Sequence, residues 1–157
     1  MTFEQIINNV LEHEGGYVND PLDKGGETNF GIAKRWYPDL DIKALTKNDA
    51  VNIYYNDYWK PSKAEQLPNN LQATYFDMCV NMGQSRAVKI LQETINSTGS
   101  TTIAQDGIIG SITIKSAVNV SKRRLQAYRC LFYSKIVNEE PSQERFYYGW
   151  FKRATTT

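Results

Sequence analysis

The amino-acid sequence predicts a mainly α-helical protein with a glycine-rich loop or short hairpin after the first helix, and three observations carry that expectation. Apolar residues recur at helical spacing, as Phe3, Ile6, Ile7, Val10 and Leu11 do near the start and Leu71, Tyr75, Met78, Cys79 and Met82 do in the middle. The alternating pattern of a large sheet is absent throughout. Five glycines and a proline crowd residues 15–31, a density that excludes a regular helix, in which each glycine costs about 1 kcal/mol.

The elements follow from local signals. Thr2 can cap the first helix while Gln5 reaches back in a capping box, and the helix should end near Glu14, where two glycines stop it. Gly31 to Tyr37 reads as a short helical piece halted by Pro38. Thr46 should cap a helix running to about Tyr58, with Asp49 in its first turn and Lys60-Pro61 closing it. Leu71 to Met82 is expected as a helix stopped by Gly83, and Ser85 to Ile95 as another. A run rich in Ser and Thr, from Ser97 to Gln105, leads to Asp106-Gly107-Ile108-Ile109-Gly110, a turn entering a short helix at Ser111. From Ser121 to about Asn138 a long helix should present Leu125, Tyr128, Leu131, Phe132 and Ile136, with Pro141 at its end. Phe146 to Phe151 is expected to pack back as a last, aromatic helix.

At 157 residues and 41% hydrophobic, the chain can bury one core. Residues 1–83 and 84–157 are expected as two regions of one compact body. No stretch approaches the roughly 20 apolar residues that span a bilayer, and no basic segment followed by an apolar run opens the chain. A soluble protein made without a cleaved signal is the expectation. Cys79 and Cys130 lie in apolar helical patterns without metal-ligand spacing, so packed thiols are the better reading. Charge is uneven: residues 1–70 hold 7 Lys/Arg against 11 Asp/Glu, and residues 121–157 hold 8 against 3. The basic end can steer the protein toward an anionic polymer or can be a solvated helix face.

Glu14 is the leading candidate for chemistry. It lies four residues past Val10 and three past Leu11, on the inward face of its helix, so an acid points where a leucine would normally point. Partial burial and the negative end of the helix dipole both favour its neutral form, and a general acid must hold its proton. Asp23 sits in a polar, glycine-flanked loop where its charge should persist, and Thr28 follows. Cleaving a glycosidic bond needs such a pair: one carboxyl to protonate the leaving oxygen, and another group to support the oxocarbenium-like state or orient water. Taken singly, these residues have ordinary readings, as a helix-end glutamate turned to water, turn chemistry at Asp23, and a Thr28 hydroxyl bonded to nearby backbone. His13 reads as exposed. Tyr17, Tyr37, Tyr54, Tyr58, Trp59, Asn29 and Asn81 can stack on sugars or read their amides, with Trp59 and Asn81 leading. Asn19, Asp20 and Asp23 lack the alternating positions of a calcium loop, so neither metal nor cofactor is expected.

The string from Glu14 to Ile32 resembles the signature of glycoside hydrolase family 108, N-acetylmuramidases found among phage endolysins and secretion-linked muramidases. Tyr58-Trp59-Lys60-Pro61, Phe76-Asp77 with Asn81-Met82-Gly83, and Ala87 with Leu91-Gln92 are similar to the family's centre. Asp106 to Gly110 and Gly149-Trp150-Phe151-Lys152-Arg153 resemble its peptidoglycan-associated region. The resemblance implies a lysozyme-like helical fold with Glu14 as catalytic acid, and Glu14, Asp23 and Thr28 in the order of the Glu-Asp-Thr triad of phage lysozymes, Asp20 being the alternative to Asp23. Tyr17, Asn29, Tyr58, Trp59 and Asn81 are the expected substrate-binding residues. The implied partner of this expected monomer is the peptidoglycan glycan strand, without nucleic acid or membrane insertion, and a holin or export channel would serve it indirectly. Two alternatives stay open: a lytic transglycosylase, and a non-catalytic wall-binding module.

Overall fold

A computed structural model describes residues 1–19 and 26–157. The chain divides into two units, Met1–Asp57 and Tyr58–Thr157.

The first unit opens with α1, Phe3–Glu14, whose capping box is complete: the Thr2 hydroxyl accepts from the Gln5 N–H, and the Gln5 side chain accepts from the Thr2 N–H at 2.9 Å. Ile6, Ile7, Val10 and Leu11 are buried along one stripe, as their spacing requires. The glycine-rich segment leads into a hairpin of β1, Thr28–Asn29, and β2, Ile32–Ala33, antiparallel with Asn29 opposite Ile32. Val18 bridges to Thr28 on the other side of β1. The helical piece expected from Gly31 to Tyr37 is therefore corrected. Ile32 and Ala33 are spent on the strand, and only one turn follows, in which the Trp36 and Tyr37 N–H groups donate to Ala33 O. Pro38 has no N–H with which to extend it.

Helix α2, Lys47–Ile53, has Thr46 and Asp49 in a second capping box. A wider π-helical turn, Tyr54–Trp59, follows, and then α3, Lys60–Ser62. The Lys60-Pro61 pair was expected to close the helix, yet helical backbone runs through it. The wide turn interrupts the regular hydrogen-bond ladder where the proline ring and missing donor would otherwise disrupt it. Lys63, left-handed at φ 53°, ends the run.

The second unit is built on α4, Asn69–Met82, α5, Gln84–Asn96, α7, Lys122–Glu139, and α8, Glu144–Thr156, with the short α6, Ser111–Ser116, between them. Gly83 separates α4 from α5 at φ 85°, backbone that favours glycine. Helices α4, α5 and α7 pack on one another, and α8 packs on α7. The buried face of α7 differs from expectation. It is Leu125, Arg129 and Tyr133, while Leu131 is 43% exposed. The reason lies on α4, where Asp77 is buried at 1% exposure and bonds the Arg129 guanidinium at 2.7 Å. A buried carboxylate needs a cation opposite it more than another leucine.

Candidate active site

Glu14 is half-buried at the last position of α1. Beside it lies the two-residue turn of the hairpin, Phe30-Gly31, in which both residues are left-handed at φ 52° and 77°. That geometry matches the right-handed twist of the flanking strands. A Cβ at Gly31 would stand 2.6 Å from the Tyr54 hydroxyl, 2.8 Å from Glu14 Oε2 and 2.9 Å from Glu14 Cβ. The turn thus rests directly on the acid, and only glycine fits there. Tyr54, 2% exposed, donates its hydroxyl proton to the Phe30 carbonyl at 2.9 Å and pins the turn in place. Sequence reasoning offered Tyr54 only as a sugar-stacking candidate and did not single out Gly31. The signal was present in the Asn-Phe-Gly-Ile string, where a two-residue hairpin loop demands a residue tolerant of positive φ.

The other expected residues are distributed as follows. Thr28 is half-buried on β1, its backbone N–H and C=O both paired with Val18 at 2.8 Å. Tyr17 is 39% exposed and donates its hydroxyl to Glu27 at 2.9 Å, a bond to a carboxylate that holds the phenol above its usual range. Asp23 and its alternative Asp20 lie outside the described residues. Asn29 departs from its expected substrate role. It is 6% exposed, and its amide donates to the Ile42 and Leu45 carbonyls at 3.1 and 3.4 Å, tying β1 to the segment before α2. A short polar side chain inside the core satisfies backbone that has no ladder partner.

Tyr58, Trp59 and Asn81 belong to the second unit. Trp59 departs from the expected cleft position, being 4% exposed with its ring edge-on to Phe76, centroids 5.0 Å apart. Indole area is worth more buried against another ring than in water. Tyr58 is half-buried. Asn81 Oδ1 accepts the Tyr133 hydroxyl proton at 2.6 Å, and Tyr133 accepts in turn from Arg129 Nε at 3.1 Å. Asn81 thus ends a chain of polar contacts that begins at Asp77. Arg153 completes the group, bonding Asp77 at 2.9 Å. In the sequence Phe76-Asp77 and Lys152-Arg153 belong to separate motifs, and their spacing gives no sign that the charges meet.

The Asp106-Gly107-Ile108-Ile109-Gly110 string is spent on locking its own turn. Gln92, 1% exposed, donates to Asp106 Oδ1 at 2.8 Å and accepts from the Gly107 N–H at 3.0 Å, while the Ile108 N–H also donates to Asp106 Oδ1. The Gln92 bond is the main reason the Asp106 carboxyl lies below its usual range. Among the described residues, no three His, Cys, Asp or Glu side chains gather as a metal site.

Comparison with known proteins agrees with this architecture. Residues 7–83 match the family model described as Glycosyl hydrolase 108, and residues 86–155 match one described as "Predicted Peptidoglycan domain". The structure of Brucella abortus SagA is similar over 98% of this chain and 89% of its own, with 30% identity and a TM-score of 0.76. No curated protein matches significantly. A mainly helical, lysozyme-like fold with these two matched segments defines a glycoside hydrolase directed at peptidoglycan. The chain belongs to the glycosyl hydrolase 108 family. Among the described residues, no helix is long and apolar enough to cross a membrane.

Proposed function

We propose that this protein is an N-acetylmuramidase that hydrolyses the β-1,4 bond between N-acetylmuramic acid and N-acetylglucosamine, with Glu14 as general acid. The observation that carries the reading is the placement of Glu14: half-buried at a helix end, with a glycine turn packed against its carboxyl and Tyr54 beside it. Such an acid is held in one position while part of it stays open to a substrate, which proton transfer to a leaving oxygen requires. Asp23 with Thr28 holds the attacking water or supports the cationic transition state. Tyr17 offers a partly exposed ring to the sugar chain.

In this reading residues 1–83 perform the cleavage and residues 84–157 associate with the wall. The protein serves as a phage endolysin, acts as a monomer, and reaches its substrate through an opening made by a holin or an export channel. Replacing Glu14 by Gln tests the assignment, because the amide keeps the shape and cannot donate the proton. Clearing of a cell-wall suspension should fall by about 10²- to 10⁴-fold, with the helical circular dichroism spectrum unchanged. Full activity in Glu14→Gln refutes it. Mass spectrometry of the released fragments separates hydrolysis from transglycosylation, whose anhydro ends are lighter by one water.

A further inference from the structure

We infer that the concavity lined by Met82, Gly83, Gln84, Ser85, Arg86 and Lys89 binds the carboxylates of peptidoglycan stem peptides. It encloses about 400 Å³, and its lining contains two cations and no acid. Both cations are exposed on α5, and each touches one neighbour. The Arg86 guanidinium lies over the Phe132 ring, 5.5 Å from its centroid, where the ring face attracts it. The Lys89 stem runs beside Gly107, whose missing Cβ would stand 3.2 Å from Lys89 Cε. The locked Asp106–Gly110 turn therefore also supports a lysine.

Neither cation forms an ion pair among the described residues, where Asp77 pairs with Arg129 and Arg153, and Glu93 with Lys135. Asp106, the acid adjoining Gly107, is engaged by Gln92 and the Ile108 N–H. Two positive charges in a concavity lined by no carboxylate are arranged for an anion supplied from outside.

The chemistry of the polymer says which anion. The sugars of a peptidoglycan strand are uncharged once the muramic carboxyl is consumed in its amide bond to the peptide, so the negative charge resides on the peptide carboxylates. A planar guanidinium beside a point-charge ammonium suits a carboxylate flanked by a second polar group. The inference rests on the peptidoglycan-directed reading above and is independent of any role for Glu14.

The test is calorimetric titration of the wild-type protein with three probes: a disaccharide-tripeptide muropeptide, the same disaccharide without peptide and with its muramic carboxyl amidated, and the muropeptide with its carboxyls amidated. Charge-assisted bonds of this kind should make the first bind about tenfold tighter than the other two. Arg86→Gln/Lys89→Gln should erase the difference, leave the peptide-free disaccharide affinity as it was, and keep the thermal midpoint. Equal affinity for the amidated and free muropeptides overturns the inference from the ligand side, whether or not the variant folds. So does an unchanged preference in a folded variant. Glu14→Gln should bind all three probes as the wild type does, so loss of hydrolysis and loss of this site read out separately.

Discussion

Residues 1–57 and residues 58–157 are held together by different means. In the first unit, single side chains reach to backbone: Asn29 to Ile42 and Leu45, Lys34 Nζ to the Leu40 carbonyl at 2.6 Å, Tyr54 to Phe30, and Thr46 with Asp49 at a helix start. Irregular chain leaves many carbonyls and N–H groups without ladder partners, and each of these contacts satisfies one. In the second unit side chains make such bonds too, Gln72 to the Leu67 carbonyl at 3.0 Å and Asn96 to the Ile103 carbonyl at 2.9 Å, but long helices satisfy most of their own backbone and the core closes around a buried ion network. Asp77 there compensates two arginines, and Arg129 Nη2 is buried without a hydrogen-bond partner. The contrast teaches that a half-open acid beside a tight turn is positioned by local hydrogen bonds and one glycine, whereas the helical scaffold depends on a few concentrated charges.

The largest effect should come from attacking that charge concentration. Asp77→Ala leaves Arg129 buried and uncompensated and should cost about 3–5 kcal/mol in urea unfolding. Arg129→Met should cost less, because Arg153 continues to compensate Asp77. If Asp77→Ala proves as stable as the wild type, the second unit is not charge-dependent and the contrast fails.

A smaller loss is expected in the first unit. Gly31→Ala forces a methyl into the Glu14 carboxyl and the Tyr54 hydroxyl at positive φ, and should cost about 1–3 kcal/mol, with activity falling alongside. Gly16→Ala, where a Cβ meets nothing within 4 Å, is the control. Equal behaviour of the two variants in denaturation and wall clearing would separate Gly31 from the acid.

The smallest effect concerns the thiols. Burial pushes the Cys79 thiol from its ordinary 9.0 up to about 12, and partial burial also raises Cys130. Near pH 8 a thiol reagent should label Cys130 slowly and leave Cys79 untouched until denaturant is added. Because folded Cys79 keeps its proton where the unfolded chain has lost it, its contribution is full below pH 9 and declines as pH rises toward about 12. Rapid labelling of Cys79 in the native protein would show that the α4 core opens readily.

Much of the fold was legible because its signals are local. Thr2-Gln5 and Thr46-Asp49 announce helix starts by the bonds they make within three residues, and Gly83 announces a stop by its backbone freedom. The stripe from Ile6 to Leu11 needs only the helical period. Misreadings fall where a distant partner overrides the local pattern. Pro61 reads as a terminator until a wide turn precedes it, and Leu131 reads as core until Asp77 draws Arg129 inward. For the candidate site, the position of Glu14 at the end of α1 followed from periodicity and the paired glycines. Asn29 and Trp59 were misplaced because type and spacing do not reveal whether an amide will face a sugar or a stray carbonyl.

By itself the sequence determined the helical class, the ends of most helices, the glycine-rich break after Glu14 and the placing of an acid on an inward face, all of which depend on interactions across a few residues. Tertiary structure decided that Gly31 touches the Glu14 carboxyl, that Tyr54 pins the turn, and that Asp77 gathers arginines 52 and 76 residues downstream. Contacts between residues so far apart are set by how helices and hairpins pack in three dimensions, and no local periodicity encodes them.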